Sequence, residues 1–197
     1  IAMKDLEIRG AGNLIGTEQS GHMMQIGYEL YCKLIDDAVR KLRGEKVAEE
    51  ELEVAVEIRV DAFISSDYIE DEKLKLDMYK RIAEIKTSDD ISDVTDELTD
   101  RFGEVPPETV SLMQVAYIQA KCREAGIKRV ALDGNRVLFE FVSEANALTP
   151  ELFVKLTDAY GMKLIINMGS RPYIRMPFSS QKTLLNEIID FLMTFEN

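Results

Sequence analysis

Four glycines fall within Asp5–His22 (DLEIRGAGNLIGTEQSGH), at positions 10, 12, 16 and 21. Glycine-rich turns let backbone N–H groups come close to phosphate, so nucleotide binding is the first chemistry to test there. The spacing does not fit it. A dinucleotide fingerprint needs G-x-G-x-x-G between a strand and a helix, whereas Gly10-Ala11-Gly12 is followed by Gly16, one residue too late. A P-loop needs a lysine after its last glycine, and Gly16-Thr17-Glu18 supplies none. Tight packing and turning explain these glycines better than a nucleotide loop does.

Other reactive side chains also lack partners. His22 is the only histidine, which leaves no Cys/His cluster with metal-ligand spacing and no serine or cysteine motif for it to serve as a base. Asp36-Asp37, Glu49-Glu50-Glu51 and Asp89-Asp90 read as solvated faces or helix N-terminal charges, because adjacency alone does not make an acid–base pair. Met23 and Met24 read as packing. No catalytic residue and no metal ligand is therefore expected. One charged motif remains. In DELTDRFG, Glu97, Asp100 and Arg101 stand at i, i+3 and i+4 and share a helical face, beside Leu98 and Phe102. Spacing alone favours a solvated face with an internal Glu97–Arg101 ion pair over a docking patch for a basic partner.

These residues need elements to hold them. Tyr28, Tyr31, Leu34, Ile35, Ala38 and Leu42 recur at helical steps up to a stop at Gly44. A charged linker follows, and the spacing predicts a domain boundary near residue 50, giving segments 1–50 and 51–197. Val54, Val56, Ile58 and Val60 alternate as a strand. Three helices are predicted next: one with Leu76, Tyr79, Ile82 and Ala83 inward, one with Ile91, Val94, Leu98 and Phe102 inward, and one opening at Pro107 and closing at Gly126. Asp133-Gly134-Asn135 predicts a hairpin. Thr149-Pro150 starts another helix and Gly161 ends it. A strand pair about Gly169 follows, then a last helix with Leu184, Leu185, Ile188, Ile189 and Leu192 inward. The pattern is α+β: helices packed on a small mixed or antiparallel sheet.

The charge is as uneven as the motifs. The chain has 197 residues and a net charge of −12, yet residues 1–44 carry six basic and six acidic side chains. All the excess falls after Gly44, and such a surface repels phosphate backbones. Two cysteines far apart, Cys32 and Cys122, argue against a disulfide framework. With no apolar run near about 18 residues and no signal peptide, the expected location is the cytoplasm. The opening at Ile1 suggests a piece of a longer chain.

DLEIRGAGNLIGTEQSGH closely resembles the translocation motif shared by RecG-type helicases and the bacterial transcription-repair coupling factors, with Ala11 where RecG proteins tend to carry proline. IGYELYCKLIDDAV and YKRIAEIKTSDDISDVTDELTDRFGEVPPE resemble the coupling factors specifically, so the likeness covers essentially the whole chain. It implies that residues 1–50 comprise the translocation motif, a helical hairpin and loop that couples ATP hydrolysis to stepping on double-stranded DNA, and a connecting helix. Arg9 and Gln19 match the coupling arginine and glutamine, and Gly10, Gly12, Gly16 and Gly21 would let the hairpin and loop pack and bend. It implies that residues 51–197 are a C-terminal regulatory brake. That brake would pack on the parent's N-terminal UvrB-like module and mask the surface used by UvrA, with Glu97, Asp100 and Arg101 at the contact. The parent would be an ATP-dependent translocase in transcription-coupled nucleotide excision repair, acting on RNA polymerase and using ATP and Mg; this segment would hold no cofactor and have no ATPase activity of its own. Two alternatives stay open: a domain docking directly on RNA polymerase or another repair factor, and an independent nucleotide-binding enzyme.

Overall fold

A computed structural model describes residues 52–143 and 149–196. Arg9, Gly10, Gly12, Gln19 and Gly21, expected to form a translocation motif, lie outside the described residues with His22, Cys32 and the expected hairpin. The described residues fall in the unit Val47–Asn197.

Strand β1 (Ala55–Glu57) comes first, followed by helices α1 (Glu72–Ala83), α2 (Ser88–Phe102) and α3 (Pro107–Glu124). Strands β2 (Ile127–Asp133) and β3 (Arg136–Phe141) form a hairpin, and helix α4 (Pro150–Tyr160) runs into a single 3-10 turn. Strands β4 (Ile165–Asn167) and β5 (Tyr173–Pro177) and helix α5 (Leu184–Met193) complete the described part. This is the order the sequence predicts. The five strands make one mixed sheet in the order β1-β2-β3-β5-β4, in which only β1 and β2 run parallel.

Alternation sets the two sides of the sheet. Val130, Val137, Phe139, Phe141, Ile174 and Met176 are buried toward the helices. The opposite side carries charge: Arg129 pairs with Glu57 of β1 at 2.7 Å and Glu140 of β3 at 3.2 Å, and Arg175 pairs with Asp133 at 2.7 Å. Gly134 turns the β2–β3 hairpin with φ 62°, while no non-glycine described residue has positive φ. Positive φ at only the first of two central residues is the requirement of a type II′ turn.

The hub is α3. It buries Thr109, Leu112, Met113, Val115, Tyr117, Ile118, Ala120 and Cys122, so it is apolar around most of its circumference. It touches β1, β2, α1, α2 and α5, and such a helix is stable only when wrapped. Pro107 sits at its first turn, where a missing N–H costs nothing.

Two expectations need correction in detail. The alternation from Leu52 to Ile64 is complete, even positions buried or half-buried and odd ones exposed, yet only three residues join the sheet. Beyond Ile58 the chain bonds to helices instead: Phe63 N–H donates to the Glu108 carbonyl at 3.2 Å, the Thr109 hydroxyl to the Phe63 carbonyl at 3.1 Å, and Ile64 N–H to the Tyr79 hydroxyl at 2.9 Å. On α1 the buried side chains are Lys75, Met78 and Ile82, and Ala83 is exposed. Lys75 is tolerated inside because its ammonium reaches the Ser66 hydroxyl and the Glu72 carboxylate, each at 3.0 Å.

Candidate functional site: the charged face of α2

Helix α2 is built to present charge. Thr87 caps it by accepting from Asp90 N–H at 3.2 Å, while the Asp90 carboxylate accepts from Thr87 N–H at 2.8 Å and Lys86 N–H at 2.9 Å. Those two backbone bonds, and then the Thr87 hydroxyl, hold the Asp90 carboxyl below its ordinary value. Gly103 ends the helix at φ 88°, in the left-handed region that suits glycine. Val94 and Leu98 are fully buried and fix which side faces out. Tyr68 donates to the Leu98 carbonyl or the Gly103 carbonyl, both at 3.2 Å, and meets Phe102 edge to face.

The three site residues behave differently. Glu97 receives Arg101 Nη1 at 2.6 Å, as the i,i+4 spacing predicts, and Arg81 Nε of α1 at 3.9 Å. The Arg101 guanidinium also lies 5.0 Å from the Phe102 ring centroid and 3.5 Å from Met78 Sδ. Glu97 and Arg101 are thus joined into an α1–α2 cluster. Asp100 is exposed, and none of the described residues pairs with it.

Sequence reasoning missed the extent of the acid. Asp89, Asp93, Asp96 and Asp100 are all exposed and recur at i, i+4, i+7 and i+11, which places them on one stripe of the helix. None has an ion-pair partner among the described residues. The signal was available, because the same step rule applied to apolar residues finds Ile91, Val94, Leu98 and Phe102 on the other side.

Elsewhere the described residues offer little reactive chemistry. Cys122 is wholly buried, and burial pushes its thiol up to about 12, so it stays protonated at neutral pH. No cluster of three or more metal-ligating side chains occurs among the described residues. No described helix is long and apolar enough to cross a membrane.

Comparison with known proteins places this geometry in context. The model of the family described as "TRCF domain" matches residues 58–152, a span that includes all of α1, α2 and α3. The transcription-repair-coupling factor of Bacillus subtilis (strain 168) is 34% identical over 172 residues, 87% of this chain. That of Staphylococcus aureus (strain USA300) is 34% identical over 170 residues, 85% of this chain. The chain spans only 15% of the length of each of these relatives. Among solved structures, a crystal structure of the C-terminal domain of transcription-repair coupling factor matches with a TM-score of 0.63 at 20% identity, covering 72% of this chain and 91% of that one.

Proposed function

The chain belongs to the transcription-repair-coupling factor family, and from that premise we propose that residues 51–197 are the regulatory brake of an ATP-driven DNA translocase. In this reading the domain packs on the N-terminal UvrB-like module of its own parent and covers the surface that UvrA would use. Residues 1–50, with Arg9, Gly10, Gly12, Gln19 and Gly21, couple ATP hydrolysis to movement on double-stranded DNA beside RNA polymerase. The domain performs no catalysis itself, and ATP and Mg belong to the motor that precedes it.

One observation carries the reading: the unpaired aspartate stripe of α2. Four carboxylates on a rigid, well-capped helix repel nucleic acid and suit a basic protein surface. Asp100 is the free charge at the C-terminal end of the stripe, while Arg81 and Arg101 hold Glu97 in place. Glu97 and Arg101 therefore shape the edge of the contact, and the stripe supplies the attraction.

The test is a calorimetric titration of residues 51–197 against the separate UvrB-like module at low and moderate salt. Binding should weaken as salt screens the charges, and Asp96→Lys with Asp100→Lys should abolish it. Binding that ignores both salt and these substitutions would overturn the role of the stripe. An absence of binding, together with salt-sensitive binding to RNA polymerase, would favour the direct-docking alternative.

A further inference from the structure

From Ala159 to Asn186 the chain has no aspartate or glutamate, although its net charge is −12. This segment contains the β4–β5 hairpin, and β4 is the last strand of the sheet, paired only with β5 among the described strands. Apolar side chains in and beside that strand are open to solvent: Ile165 is 42% exposed, Met168 just after it 44% and Met162 just before it fully. Lys163 stands just before β4 and Arg171 in the loop just after it, so a cation lies beyond each end of the strand. Neither has a carboxylate within ion-pair distance among the described residues. Arg136 adds a third cation at the Lys163 end, donating to the Lys163 carbonyl at 2.6 Å.

A free strand edge offers unpaired N–H and C=O groups to any passing strand. Charge decides which strand it accepts. An antiparallel pairing of two copies through β4 would bring Lys163 of one toward Arg171 of the other, so like charges disfavour self-association. The same cations favour a strand that carries carboxylates. We propose that the β4 edge takes up an extended acidic segment of a partner protein as an added strand. Its backbone bonds to β4, its apolar side chains lie beside Ile165 and Met168, and its carboxylates meet Lys163, Arg136 and Arg171.

The test uses the 197-residue chain labelled with ¹⁵N and a capped peptide of about nine residues alternating valine and glutamate, long enough to span Lys163 to Arg171. A twin peptide with lysine in place of glutamate is the control. The acidic peptide should shift the amide signals of Ile165, Ile166 and Asn167, and less so at high salt. Lys163→Glu with Arg171→Glu should weaken it about tenfold or more and make the lysine twin the better ligand. Unmoved β4 amides, or equal responses to both peptides, would overturn the proposal. So would the same shifts appearing without peptide as protein concentration rises, because that would make the edge a contact between copies.

Discussion

Glu97 sits between two arginines, Arg101 one turn along its own helix and Arg81 on α1, whereas Asp100 three residues later faces solvent alone. The difference sets what each substitution does. Asp100→Lys removes no described contact and should change unfolding free energy by no more than about 0.5 kcal/mol. Glu97→Lys replaces an attraction on both sides with repulsion from both arginines and should cost about 1 kcal/mol. Urea denaturation of the two variants checks this, and equal losses would mean that Arg81 and Arg101 do not hold Glu97. It also shows why Asp96 and Asp100, rather than Glu97, suit a binding test. The i,i+4 pair was legible in the sequence because it depends only on helix geometry. Arg81 was not, because it arrives through the packing of α1 against α2, which local spacing does not encode. The aspartate stripe was legible by the same rule, because Asp89, Asp93, Asp96 and Asp100 recur at helical steps just as the apolar residues opposite them do.

At the scale of elements, α2 shows how an acidic helix is made to start cleanly. Its capping box uses aspartate where glutamate or glutamine is usual, and the shorter side chain still reaches the Thr87 and Lys86 N–H groups. Thr87→Ala should cost about 1 kcal/mol, as N-cap losses do. The acid side follows from Asp90. Its folded-state carboxyl lies below the ordinary value of 3.8, so it contributes stability at pH values above 3.8 and loses it as pH falls through the depressed folded value. The stability gap between wild type and Asp90→Asn should therefore be constant near neutrality and close only in that acid range. A gap that widened on acidification would reverse the assignment. Element order was readable in part because α2, α3 and α4 carry their own punctuation: Pro107, Thr149-Pro150, Gly103 and Gly161 all stand where the structure uses them. The length of β1 was not readable. Thirteen residues alternate, but the number that pair depends on where β2 stops alongside and where α3 begins to offer Glu108 and Thr109 instead.

For the molecule as a whole, closure of the core falls to the last helix. Phe191 stacks on Phe139 of β3 with ring centroids 4.5 Å apart and meets Tyr160 of α4 at 5.6 Å and Phe195 at 5.4 Å. One side chain thus joins the sheet, α4 and the residues after α5. Phe195 reaches back to Phe141 at 6.2 Å, and Glu196 closes the arrangement from outside. The Glu196 carboxylate pairs with Lys121 of α3 at 2.8 Å, and its carbonyl accepts from Lys155 of α4 at 2.9 Å. Burial alone would depress the Lys121 ammonium, but Glu196 and Glu124 outweigh it and hold that group above its ordinary 10.5. The Lys121 ammonium's contribution to this clamp is therefore present below pH 10.5, while its carboxylate partners are ionised, and is lost as pH rises through the raised folded value. The sequence showed α5 as an apolar helix through Leu184, Leu185, Ile188, Ile189 and Leu192. It did not single out Phe191, which lies on the same stripe at i+7 from Leu184, because periodicity ranks faces and not the residue at which three elements converge. Because Phe191 is fully buried, Phe191→Ala should cost about 3–5 kcal/mol. That is a large share of a typical domain's margin. The loss should appear as one lowered transition, seen together by circular dichroism and by amide exchange on β3, α4 and α5. If instead α4 exchanged early while β3 kept its protection, Phe191 would be a local contact of α4 and not the residue that makes sheet and helices melt as one.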